Sequence, residues 1–155
     1  MALHDISSKP RIILDTCILI DIIVASRTRH SVACRLNKEL KSRGIIIVMP
    51  MHAHFELLSA TKHEVRKNTK AEMFKSEERE DDQLEYFGVS INDDFVKKYS
   101  CTDLPKMSAC DAIFVAMAKV DGLDLITEDS KHYQHAKTYG VNVFGINEYL
   151  EKLNA

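Results

Sequence analysis

The chain has no paired cysteine spacing, no basic surplus and no long uninterrupted apolar run, and each absence removes a class of function. Cys17, Cys34, Cys101 and Cys110 contain no Cys-x-x-Cys step, which argues against a four-thiolate zinc site and a disulfide framework. With no signal-like start, free thiols in a reducing cytosol are the natural reading, and the expected location is cytoplasmic. The longest apolar run, Cys17 to Val24, is interrupted by Asp21 and is far too short to span a bilayer, so no membrane association is expected. A net charge of -2 lacks the basic excess common in nucleic-acid binders, although an acidic metal site can mask local basic patches. Internal repeats and low-complexity tracts are also missing. What remains, 155 residues with 45% hydrophobic and 28% charged content, is the profile of one ordinary globular domain.

Within it, short β-branched apolar runs alternate with helical patterns. Arg11 to Leu14 and Ile45 to Met49 read as strands apolar on both faces, as central parallel strands are. Tyr86 to Ile91, Leu123 to Thr127 and Val141 to Phe144 read as further strands. Helices are expected at Ile18 to about Ala25, within Ser26 to Ser42 with a basic outer face, and after Pro50 with Met51, Phe55 and Leu58 inward. Further helices are expected at Asn92 to Tyr99, from Asp111 to the Gly122 stop, at Lys131 to Tyr139 and at Asn147 to Leu153. The order predicts a three-layer α/β/α sandwich with a mostly parallel sheet of about five strands. Residues 62–85, basic then acidic and poor in apolar side chains, read as a charged helical insertion or flap.

The acids fall at one rim of such a fold. Asp15 follows the first strand, Glu56 lies about two turns into the helix after Pro50, Asp111 heads an apolar helix, and Asp129 follows the strand that this helix feeds. In a parallel sheet all four positions meet at the carboxyl edge, where α/β sheets bind ligands. Alone, each acid reads as a cap, a turn residue or a solvent-facing residue. Together they crowd like charges that call for a compensating cation. A hard oxygen donor set favours Mg²⁺ or Mn²⁺, and such ions support phosphodiester hydrolysis. Asp21, Asp93 and Asp94 read as helix-surface or capping acids. The pairs His52/His54 and His132/His135 read as core or surface histidines rather than ligands.

Four blocks, LDTCILID (Leu14 to Asp21), HAHFELLSA (His52 to Ala60), CDAIFVAMAKVDG (Cys110 to Gly122) and LITEDSKH (Leu125 to His132), resemble in content and order the motif blocks of PIN-domain ribonucleases. Among small members the likeness is to VapC-type toxins of toxin–antitoxin pairs. The resemblance implies a single PIN-like domain over residues 1–155 and a Mg²⁺-dependent endoribonuclease. It implies Asp15 and Asp111 as principal metal ligands, Asp129 as a further ligand and Glu56 as a carboxylate for a metal-bound water or second ion. Thr16 and Thr127 match positions that orient the acids or the substrate phosphate. An RNA substrate, a small antitoxin and a homodimer are the implied partners. Cys17 stands where the family more often has Asn or Ser, His132 where an aromatic such as Phe is usual, and Glu128 adds a charge beside Asp129.

Two rival readings differ in what they need. A non-catalytic module of the same fold that binds RNA or protein would not require the full acidic set. A haloacid-dehalogenase-like phosphatase wants a second Asp where Cys17 stands, and a receiver domain wants an acidic pair and a late Lys-Pro that are missing.

Overall fold

The computed structural model describes residues 8–67, 84–100 and 103–155. Strand β1 (Arg11–Leu14) leads through helices α1 (Thr16–Ile23) and α2 (His30–Ser42) to β2 (Ile46–Pro50). Helix α3 (Met51–Lys67), β3 (Phe87–Val89), α4 (Asp93–Tyr99) and α5 (Ala109–Asp121) follow. The chain closes with β4 (Asp124–Ile126), α6 (Ser130–Thr138), β5 (Val143–Phe144) and α7 (Ile146–Asn154). All strand pairings are parallel, in the order β3-β2-β1-β4-β5.

That order makes β1 the central strand. Ile12, Ile13 and Leu14 are wholly buried, which explains why the run is apolar on both faces. After β1 the chain turns to β2 and β3 on one side and later returns to β4 and β5 on the other. The crevice between β1 and β4 is therefore the topological switch point. Helix contacts fall into two groups, α1 with α2 and α3 and α2 with α7 in one, α4 with α5 in the other. This matches the expected sandwich with helices on both faces. No described helix is long and apolar enough to cross a membrane.

Local chemistry sets the ends of the elements that frame the crevice. Ser108 accepts a hydrogen bond from the Asp111 N–H (3.2 Å) and so starts α5. The backbone reaches a left-handed conformation at Gly122, φ 63°, where a side chain would strain the turn into β4. Asp129 is the N-cap of α6 and accepts from the His132 N–H at 2.9 Å.

Three details depart from the sequence reading. Phe55 points outward and is 70% exposed, while Ala53 and Leu57 are buried, because the inward stripe of α3 runs through i, i+4 positions one step away from Phe55. Asp21 is buried rather than superficial, held by Nε of Arg27 (2.9 Å) and of Arg29 (2.7 Å). Those two arginines thus anchor the turn before α2 instead of lying on a purely solvated basic face. Asp15 takes the N-cap position of α1, yet its side chain makes no cap hydrogen bond because its carboxylate is engaged elsewhere. Most of the charged segment at 62–85 lies outside the described residues, although α3 continues to Lys67.

Candidate active site

The engagement of Asp15 defines the centre of the crevice. Leu14 pairs with Ile126 across β1 and β4, so Asp15 and Thr127 emerge side by side from the two strand ends. Oδ2 of Asp15 accepts a hydrogen bond from the Thr127 hydroxyl at 2.7 Å and contacts Nδ1 of His132 at 2.9 Å and the Cys17 thiol at 3.5 Å. Burial pushes the Asp15 carboxyl up, but the hydrogen bond and charge of His132, then Thr127 and Cys17, outweigh it and hold the group below its ordinary value. His132 is 2% exposed. Burial works against its charged form, yet the Asp15 hydrogen bond and the fields of Asp15, Asp111 and Asp129 leave its pKa raised. The acids around it thus favour the protonated form of a buried imidazole. Burial and the adjacent Asp15 charge push the Cys17 thiol up to about 12, so it remains a neutral donor.

Thr127 ties two acids together, since its hydroxyl oxygen also accepts from the Asp129 N–H at 3.1 Å. Asp111 projects from the first turn of α5 with its side chain 39% exposed, and its Oδ1 lies 3.8 Å from Nδ1 of His132. Ligand-capable atoms of Asp15, Asp111 and His132 all lie within 4.8 Å of one another. Glu56 sits one step away on α3, where Oε2 accepts a 2.6 Å hydrogen bond from the Thr16 hydroxyl. It belongs to a second group with His52 and Cys110.

Thus Asp15 and Asp111 come together directly, Glu56 joins them through Thr16, and Asp129 joins through Thr127 while its carboxylate caps α6. Glu128, the additional charge of this loop, turns aside and accepts from the Ile146 N–H at 2.6 Å. The sequence reading took His132 and His52 as core or surface histidines and gave Cys110 no role beside the acids. The signals were present in spacing. His132 lies three residues after the Asp129 cap, which puts it in the first turn of α6 facing the rim, and His52 precedes Glu56 by four, on one helix face.

The donor set fits a hard divalent ion. Oδ1 of Asp15 and both side-chain oxygens of Asp111 accept no hydrogen bond among the described residues, whereas the second oxygen of Asp15 is fully occupied. Carboxylate oxygens left open at a partly exposed rim are the ligands that Mg²⁺ and Mn²⁺ prefer.

An all-parallel sheet with paired carboxylates at its switch point is the architecture of a metal-using α/β domain. The chain belongs to the PIN domain family, whose family model matches residues 12–138, and PIN domains are in general nucleases. No curated protein matches the chain. A solved structure described as a domain of a functionally unknown protein from Methanocaldococcus jannaschii is similar, at 19% identity over 88% of this chain and 90% of that one, with a TM-score of 0.41.

Proposed function

We propose that this protein is a Mg²⁺-dependent endoribonuclease of the VapC toxin type, with Mn²⁺ able to replace Mg²⁺. The observation that carries the reading is the convergence of Asp15 and Asp111 at the β1/β4 crevice, with ligand-capable oxygens within 4.8 Å of each other. A divalent ion bound there supplies charge neutralisation for a phosphodiester and acidifies a water molecule. Asp15 and Asp111 are assigned as the principal ligands, with Asp129 a further one. Asp15 is held in one orientation by Thr127 and His132, and Asp111 is placed by the Ser108 cap. Glu56, fixed by Thr16, is assigned to hold the attacking water or a second ion. Thr16 and Thr127 keep the carboxylates from turning and thus reduce reorganisation when the phosphate arrives. RNA is the assigned substrate, a small antitoxin protein the assigned inhibitor and a homodimer the assigned assembly.

The test is cleavage of a panel of structured and single-stranded RNAs by purified protein with Mg²⁺, with Mn²⁺ and with EDTA, alongside Asp111→Asn. Metal-dependent cleavage lost in the variant is the expected result. Folded protein that binds Mg²⁺ weakly or not at all and cuts nothing would overturn the reading in favour of a non-catalytic RNA- or protein-binding module.

A further inference from the structure

His52 poses a question that the acidic centre does not answer. Both of its ring nitrogens are buried, and neither has a hydrogen-bond partner among the described residues. A neutral imidazole carries one N–H donor and one acceptor, and a buried pair left without partners is unusual in a folded protein. The ring packs 5.3 Å from that of Phe114, which fixes its plane without satisfying either nitrogen. Its Nε2 lies 4.0 Å from Oε2 of Glu56 on the next turn of α3. Cys110, at the start of α5, completes the group, with the ligand atoms of all three residues within 4.8 Å of one another. Cys110 is a free, half-buried thiol.

We propose that His52, Glu56 and Cys110 form a site for a borderline-soft transition ion, with Zn²⁺ the best fit, distinct from the oxygen-rich site at Asp15 and Asp111. Imidazole nitrogen, thiolate sulfur and carboxylate oxygen are the zinc donor set, and three protein ligands leave a fourth position open. Zinc–ligand bonds of about 2.0–2.3 Å in a tetrahedron put the ligand atoms about 3.3–3.6 Å apart. Spacings within 4.8 Å need a closure of at most about 1.5 Å to reach that, and the 4.0 Å between His52 and Glu56 needs less than one. Two ligands share one helix face at i, i+4 and the third comes from the first turn of α5, so the three donors already stand together before an ion binds. On binding, the Cys110 thiol releases its proton to solvent, the sulfur lone pair takes the metal bond, and no redox partner is needed. Mg²⁺ does not compete well, because a thiolate and an imidazole are poor ligands for it. Glu56 is common to both sites. Occupancy therefore ties it down beside the proposed nuclease centre, a consequence that rests on that reading, whereas the ion binding does not.

The test needs no catalysis. The reduced, metal-free protein is titrated with Co²⁺ under anaerobic conditions, and near-ultraviolet thiolate-to-cobalt charge transfer is followed. The expected result is one saturating equivalent of Co²⁺, bleached by one equivalent of Zn²⁺ and not by excess Mg²⁺. The band is expected to vanish in Cys110→Ser. Affinity is expected to fall more than about 100-fold in His52→Phe, which keeps a ring against Phe114, since even outer-shell changes cost about 10–100-fold. Circular dichroism and a thermal melt establish that both variants are folded, and because they touch different helices either one alone decides the question. No thiolate band in the native protein, or a band of equal strength in folded Cys110→Ser, overturns the site.

Discussion

The pair formed by Asp15 and His132 offers the sharpest test of how the crevice is held together. Their side chains are 8% and 1% exposed, with Nδ1 and Oδ2 2.9 Å apart. At that burial the contact belongs with desolvated pairs, where losing one partner costs about 3–5 kcal/mol, and not with surface pairs worth about 0–1 kcal/mol. The charge-assisted hydrogen bond itself contributes on the order of 1.5–3 kcal/mol. His132→Phe removes the charge and keeps a ring, but it also introduces some overpacking. A double-mutant cycle with Asp15→Asn cancels that extra strain. The expected coupling is about 2–3 kcal/mol, read from urea unfolding in EDTA at about pH 6. This is a large share of the roughly 5–15 kcal/mol that a domain possesses.

The pH dependence fixes the sign. His132 has its folded pKa raised above 6.5, so its contribution is complete below 6.5 and disappears as pH rises through the folded value. Asp15 has its folded pKa lowered below 3.8, so its contribution is complete above 3.8 and disappears as pH falls through the folded value. The coupling should therefore be greatest between those two ordinary values and decline on either side. A coupling under about 0.5 kcal/mol, within the usual error of additivity, or one indifferent to alkaline pH, would refute the reasoning.

Other perturbations separate structure from chemistry. Asp111→Asn should abolish RNA cleavage by more than about 100-fold while changing stability by no more than about 0.5 kcal/mol, because the side chain is partly exposed and accepts no hydrogen bond among the described residues; paired activity and urea curves check both halves. Asp21→Ala removes a buried acceptor of two arginines, and because those arginines can turn to water the loss should be about 2 kcal/mol, seen as a lower urea midpoint. Gly122→Ala meets open space but a φ of +63°, so backbone strain alone should lower stability by about 1 kcal/mol, or about 2–4 °C in Tm.

How much of this was legible in the chain depends on which physical signal each residue carries. The strand at Arg11–Leu14 and the helix that stops at Gly122 were readable because burial on both faces and a glycine stop leave local marks, although the helix begins at Ala109, two residues before the expected Asp111. The rim placement of Asp15, Asp111 and Asp129 followed from strand and helix order once the sheet was taken as parallel. Phe55 was misread because an apolar residue carries no mark of which side of a helix it faces when neighbours at both phases are apolar. Asp21 was misread because its partners, Arg27 and Arg29, lie beyond the helix end in a turn whose path the sequence does not dictate. His132 and His52 were undervalued for a different reason. A histidine is as common in a core as in a site, and only the distance to Asp15 in one case and the unpartnered ring in the other distinguishes them.

His132 also bears on how the charge of the crevice is balanced. Asp15 is 6% exposed, and a buried carboxylate beside Asp111 and Asp129 would ordinarily be driven to protonate by desolvation and like charge. The hydrogen bond and charge of His132, with the Thr127 and Cys17 hydrogen bonds, reverse that shift, and of these groups His132 is the one that can carry positive charge. In this chain the imidazolium and a divalent ion therefore oppose each other for one acidic shell. Raising pH through the His132 titration should tighten Mg²⁺ binding by removing the competitor, and His132→Phe should flatten that dependence. Isothermal titration at several pH values reads both, and Mg²⁺ affinity that is equally pH-dependent in the variant would show that the imidazole and the ion do not share the site.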